Sequence, residues 1–156
     1  MCEECSGVLS AALMGSIRTQ GTAPVRILVV DDNHLIRRLL DLILEGAGYV
    51  PVEADSGAEA LELAVQTLPD LCIVDEVMPG MRGSELIRAL RSSRDPRIAD
   101  MPVIGISGRA GADKELLAAG ATTFVPKPVQ EPTILSAIAR TLARARHDTP
   151  TGLPAA

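Results

Sequence analysis

The chain predicts an α/β fold, a doubly wound five-stranded parallel sheet with helices on both faces. Three observations carry that prediction. Short apolar runs rich in β-branched residues alternate with stretches of helical periodicity. Four of the runs end in polar or charged residues at a turn: Val30-Asp31-Asp32, Val74-Asp75, Ile106-Ser107-Gly108 and Val125-Pro126-Lys127. At 156 residues, 47% of them apolar, the chain can fill one sizeable core and is short for two.

Taken in order, residues 1–23 are rich in Gly, Ser, Thr and other small residues without a sustained period, so a flexible leader is expected there, with Met14 as a candidate true start. Cys2-Glu3-Glu4-Cys5 has the spacing of one half of a zinc site, and nothing nearby supplies the other half. One folded domain is expected over 24–146. Val25–Val30 is a buried strand ending at Asp31 and Asp32, and Asn33 caps a helix over His34–Ala47. Ile36, Leu40, Ile43 and Ala47 form its apolar stripe, and Gly48 ends it. Leu35, Leu39 and Leu42 widen that stripe, either because the helix is flanked on two sides or because it meets a partner.

Tyr49–Ala54 follows as a second strand, and Ser56 with Glu59 forms a capping box for a helix to about Gln66, closed by Pro69-Asp70. Leu71–Val74 reads as a strand buried on both faces that runs into Asp75, just before the Pro79-Gly80 turn. A helix over Ser84–Arg94 carries Leu86, Ile87 and Leu90, and residues 92–101 read as a polar connection. Pro102–Ser107 is a fourth strand, Asp113–Ala119 a short helix stopped by Gly120, and Thr122–Val125 a fifth strand. The last helix, Glu131–Arg146, buries Ile134, Ile138 and Leu142, and a disordered tail is expected over 147–156.

Right-handed crossovers place such strands in one parallel sheet, and the flavodoxin-like order 2-1-3-4-5 sets strands 1 and 3 side by side. Asp31, Asp32 and Asp75 then meet at the carboxyl edge of the sheet, where ligands bind in open α/β folds. Asp often merely opens a turn, and that reading suffices for Asp75 taken alone. Together, the three acids repel one another unless a cation is present, and a hard divalent ion, Mg²⁺ (or Mn²⁺), suits one or two carboxylates beside a phosphate. With that charge neutralised, Asp75 is usable as a nucleophile toward a phosphoryl group. Lys127 offers the phosphoryl oxygens a point charge, and Ser107 offers a hydroxyl.

Composition narrows the function further. The formal net charge of −5 comes without long runs of one sign or basic residues interleaved with aromatics, which argues against nucleic-acid binding. Cys2, Cys5 and Cys72 give no disulfide framework, which fits a reducing cytoplasm. The apolar stretch from Val8 to Ile17 is too short to span a bilayer and follows Glu3 and Glu4, so neither export nor a membrane anchor is expected.

Across Pro24–Arg146 the chain resembles the receiver domains of two-component response regulators. The matching motifs are Val29-Val30-Asp31-Asp32-Asn33, Asp75 followed by Met78-Pro79-Gly80-Met81 and Gly83, Ile106-Ser107-Gly108, and Lys127-Pro128. The resemblance implies that Asp75 accepts the phosphoryl group in Mg²⁺, that Asp31 and Asp32 hold the metal with the main-chain carbonyl of Val77, and that Ser107 and Phe124 are switch positions. It also implies that Val77 and Arg109, two residues after the acceptor and after the hydroxyl residue, govern the lifetime of the phosphorylated form. The expected partners are a histidine kinase or histidine phosphotransfer protein and a separate effector, because only about ten residues follow the last helix. Two other classes stay open at this point: a metal-dependent phosphatase passing through an aspartyl phosphate, and an adaptor that acts without phosphorylation.

Overall fold

Residues 23–148 are described in the structure, a computed structural model. The expectations for the leader before residue 23, with Cys2, Cys5 and Met14, and for the tail beyond residue 148 lie outside the described residues. The elements run β1 (Arg26–Val30), α1 (His34–Gly46), β2 (Val50–Ala54), α2 (Gly57–Thr67), β3 (Leu71–Asp75), α3 (Gly83–Arg91), α4 (Pro96–Ala99), β4 (Val103–Ser107), α5 (Ala112–Ala119), β5 (Thr123–Pro126) and α6 (Glu131–Asp148).

All four strand pairings are parallel and the sheet order is β2-β1-β3-β4-β5, as the crossover argument expects. Alternation along β1 explains the two-sided core. Leu28 and Val30 pack with Cys72, Val74 and Val103 under α2, α3 and α5, while Ile27 and Val29 pack with Leu71, Ile73, Ile104 and Ile106 under α1 and α6. Each face gathers large side chains with no exposure, such as Leu86, Ile87 and Leu90 on α3 and Ile134 and Ile138 on α6. Removing one of them by truncation to Ala typically costs about 2–5 kcal/mol.

Local chemistry sets the helix starts. Asn33 Oδ1 accepts from Leu35 N–H at 2.9 Å and from Ile36 N–H at 3.4 Å. Ser56 Oγ accepts from Glu59 N–H at 3.2 Å, and Glu59 Oε1 reaches back to Asp55 N–H at 2.7 Å. Gly48 takes the expected positive φ of 91° after α1.

Several boundaries differ from expectation. α3 stops at Arg91 instead of Arg94, where the chain turns at Ser92. α6 runs to Asp148, two residues past its expected end. The stretch 92–101 is more than a polar connection: Asp95 Oδ1 accepts from Arg97 N–H, Pro96 takes the first helical position, and α4 drives Ile98 and Met101 into the core. Arg91 then holds the loops at this end of the sheet, donating to the carbonyls of Ala99, Met101 and Gly120.

Candidate functional site

The acids meet because the strands end in register. Val30 lies opposite Val74, Asp75 opposite Ile106, and Ser107 opposite Pro126, so the residues that follow each strand share one edge. Carboxylate oxygens of Asp31, Asp32 and Asp75 come within 4.8 Å of one another. Asp31 and Asp75 are buried and Asp32 is exposed, so the cluster has a closed floor and an open mouth.

Asp31 is fixed from its own backbone outward. Its N–H donates to Ala54 O at 3.2 Å, its Oδ1 accepts from Asn33 N–H at 2.9 Å, and its carbonyl accepts from Arg37 Nη1 at 2.6 Å. Burial pushes its carboxyl up to about 6; Asn33 N–H opposes the shift and the neighbouring Asp75 adds to it. Asp75 is raised as well, again by burial, while Lys127 pulls the other way. The Lys127 ammonium lies 3.0 Å from Asp75 Oδ1 and 3.8 Å from Asp31 Oδ2, and its backbone N–H donates to Ser107 O at 3.2 Å. The peptide bond from Lys127 to Pro128 is cis.

One cation against three acids leaves the crevice short of positive charge, and a three-carboxylate donor set with no Cys or His is chemistry that fits a hard divalent ion. The Gly83 backbone completes the floor. A Cβ there would collide with the Asp75 carbonyl and come within 2.9 Å of Glu76 Cα, so only glycine lets α3 start this close to the end of β3.

The remaining sequence-derived positions are dispersed around this centre. Ser107 is buried, and its Oγ accepts from Arg109 N–H at 3.1 Å. Val77 is exposed at the rim of the site. Phe124 is half-buried against the α2, α3 and α5 side of the core. The Arg109 guanidinium is not left to solvent: its Nη2 lies 2.8 Å from Glu115 Oε2 and 3.5 Å from Glu76 Oε2. Glu76 is the residue that sequence reading missed. An acid directly after Asp75 reads as one more turn residue, yet its side chain is wholly buried. The available signal was the pair of arginines, Arg82 and Arg109, on the two flanking loops.

Residues 27–139 match the response regulator receiver domain family. The chain belongs to that family. The receiver is 36% identical over 127 residues to the response regulator MprA of Mycobacterium sp. (strain KMS), a match covering 80% of this chain and 54% of that protein. It is also 36% identical over 135 residues to the MprA of Mycolicibacterium vanbaalenii, covering 85% of this chain and 57% of that one. It thus spans about half the length of the curated relatives it matches. Among solved structures, the chemotaxis protein CheY4 of Vibrio cholerae superposes with a TM-score of 0.71 at 31% identity, over 76% of this chain and 99% of that one. A CheY-like receiver domain protein from Methanospirillum hungatei gives 0.74 at 29% identity, over 81% and 99%. The receiver domain is a phosphorylation-dependent signalling module of two-component systems, and no helix among the described residues is long and apolar enough to cross a membrane.

Proposed function

We propose that this receiver takes a phosphoryl group from a phosphohistidine onto Asp75 and signals by docking to a separate effector in the cytoplasm. The observation that carries the reading is Lys127 Nζ at 3.0 Å from Asp75 Oδ1, inside a crevice where two other carboxylates converge. In the transfer, an Asp75 carboxylate oxygen attacks phosphorus, the bond from phosphorus to the histidine nitrogen breaks, and the imidazole leaves with the electron pair and is protonated. Lys127 meets the charge on the phosphoryl oxygens and Ser107 donates its hydroxyl to one of them, which leaves Ser107 Oγ free to keep accepting from Arg109 N–H. Asp31, Asp32 and the carbonyl of Val77 would hold Mg²⁺ (or Mn²⁺), which supplies neutralisation of the charge that gathers as two anions approach.

Hydrolysis reverses the cargo's attachment: water attacks phosphorus, the bond to the Asp75 oxygen breaks, and inorganic phosphate leaves. Val77 carries no group that could orient that water, so the phosphorylated form is long-lived for its family, and Arg109, two residues after Ser107, is the second position that sets the lifetime. The receiver assists its own phosphorylation and dephosphorylation and turns over no separate substrate. The histidine kinase or phosphotransfer partner meets α1, and Phe124 moves between two packed positions as Ser107 is drawn toward the phosphoryl group.

The test is intact mass after incubation with Mg²⁺ and a small acyl phosphate. One added phosphoryl group on the wild type and none on Asp75→Asn is expected. An equal adduct on both would sink the assignment.

A further inference from the structure

Next to the acidic crevice lies a second charged group that the phosphoryl chemistry does not use. Glu76 directly follows Asp75, and its side chain has 0% exposure. Its Oε1 accepts from Ser84 N–H at 2.8 Å, at the start of α3, where the helix dipole favours an anion. Its Oε2 faces Ser84 Oγ at 3.4 Å, Arg82 Nε at 3.5 Å and Arg109 Nη2 at 3.5 Å. Glu115 on α5 closes the circuit, with Arg109 Nη2 at 2.8 Å and Arg82 Nη2 at 3.9 Å. Arg109 holds the Glu115 carboxyl below its usual range. Two acids, Glu76 and Glu115, and two guanidiniums thus form a ring that ties the start of α3 to the loop between β4 and α5.

That loop is the one that carries Ser107. Arg109 is attached to it twice, by its N–H to Ser107 Oγ and by its guanidinium to the ring. Glu115 is the closer of the two acids to Arg109, at 2.8 Å against 3.5 Å, while Glu76 is the buried one, and a buried acid costs more to leave unpaired than the half-exposed Glu115.

We propose that Glu76 is a positioning residue for the phosphoryl site: its buried carboxylate holds the Arg109 guanidinium away from the phosphoryl group on Asp75, and so sets how long that group survives. The inference rests on the reading of Asp75 as the phosphoacceptor. A phosphoryl group adds a second strong anion near the same arginine. While Glu76 and Glu115 keep Arg109, the phosphoryl oxygens lack its N–H donors and in-line water is less hindered. With the charge of Glu76 removed, Arg109 transfers to the phosphoryl oxygens and slows the attack of water, in which the bond from phosphorus to the Asp75 oxygen breaks and the water's oxygen is retained in inorganic phosphate.

The experiment follows loss of the Asp75 phosphoryl group after removal of a small acyl-phosphate donor, in wild type, Glu76→Gln, Arg109→Ala and the double variant. Gln keeps an oxygen for Ser84 N–H and loses only the charge. Glu76→Gln is expected to decay more slowly by about threefold or more, the scale of coupling between contacting charged groups. The double variant is expected to decay as Arg109→Ala does, a dependence that a merely structural role of Glu76 does not produce. Decay of Glu76→Gln at the wild-type rate, or a shift by the same factor with Arg109 absent, overturns the proposal. Should Glu76→Gln not fold, Arg109→Ala alone decides: an arginine held away from the phosphoryl group shields nothing, so decay close to the wild-type rate is expected, and markedly faster decay overturns the proposal. A wild-type chain that takes up no phosphoryl group at all defeats the Asp75 assignment itself and this inference with it, a result distinct from labelled protein whose lifetime ignores Glu76.

Discussion

Asp41 on α1 is buried, and its Oδ1 has no hydrogen-bond partner among the described residues. Burial first, and then Glu53 from β2, push its carboxyl up to about 7 from an ordinary 3.8; Glu45 adds to this and Arg38 opposes it. The protonated acid donates to Glu53, whose carboxyl is held low by that bond and by Arg37 at 3.0 Å. Between about pH 4 and pH 7 the folded chain therefore keeps a proton that the unfolded chain has released, so Asp41 makes stability fall as pH rises through that window. Asp41→Asn retains the donor and has no proton to lose. In urea at pH 8 the variant should exceed the wild type by about 1 kcal/mol or more, and at pH 5 the two should agree within about 0.5 kcal/mol. A wild type more stable than the variant at pH 8 would reverse the sign and refute it. Asp32 gives a second prediction at this scale. Removing one of three crowded acids relieves repulsion, so Asp32→Ala without Mg²⁺ should melt at the wild-type temperature or slightly above while losing phosphorylation; a marked fall in melting temperature would count against the crowding. Asp31, Asp75 and Lys127 were legible in the sequence because each stands at the end of an apolar run. Asp41 and Glu76 were not, because an acid's burial depends on partners from other elements: Glu53 of β2 in one case, Arg82 and Arg109 in the other.

At the scale of elements, α1 is the helix with unfinished business. Its inward side chains Leu40, Ile43 and Leu44 are buried, whereas Leu35, Leu39 and Leu42 are 67%, 42% and 54% exposed. The wider stripe is therefore not absorbed by neighbouring helices. It forms an outward leucine face beside Arg38, next to the mouth at which Asp32 is exposed. Leu35→Asp should leave the core intact and slow phosphoryl transfer from a phosphohistidine partner by about tenfold, while labelling by a small acyl phosphate stays within about twofold, as for a partly buried interface residue. Equal loss with both donors would point to a damaged fold instead. Apart from α4, element types were readable because short continuous apolar runs bounded by turns differ from the 3.6-residue stripes of the helices. Where α3 stops and α4 forms was not, since Asp95-Pro96 is both a common turn and a helix start, and only the burial of Ile98 and Met101 decides between them.

Across the whole molecule the site exists only when the sheet is complete. Asp31 and Asp32 follow β1, Asp75 ends β3, Ser107 ends β4 and Lys127 follows β5, so no two neighbours in the chain beyond the Asp31-Asp32 pair assemble it locally. Periodicity alone could not order these strands; the order came from the handedness of crossovers and the precedent of doubly wound sheets, and the parallel registers bear it out. A metal held by the cluster would couple its binding to folding, because the unfolded chain offers scattered carboxylates and no cluster. A ligand that binds only the folded state adds about 2.7 kcal/mol at a hundredfold excess over its Kd. For a domain of this size that is a rise in melting temperature of roughly 5–10 °C. Saturating Mg²⁺ should therefore raise the melting temperature of the wild type by about that much, and a chelator should reverse it. In Asp32→Ala, whose metal-free melting temperature should match or slightly exceed that of the wild type, the rise should shrink to a small fraction. If Mg²⁺ stabilised Asp32→Ala as strongly as the wild type, the ion would be acting on the general negative charge of the surface, and the three-carboxylate cluster would have no part in it.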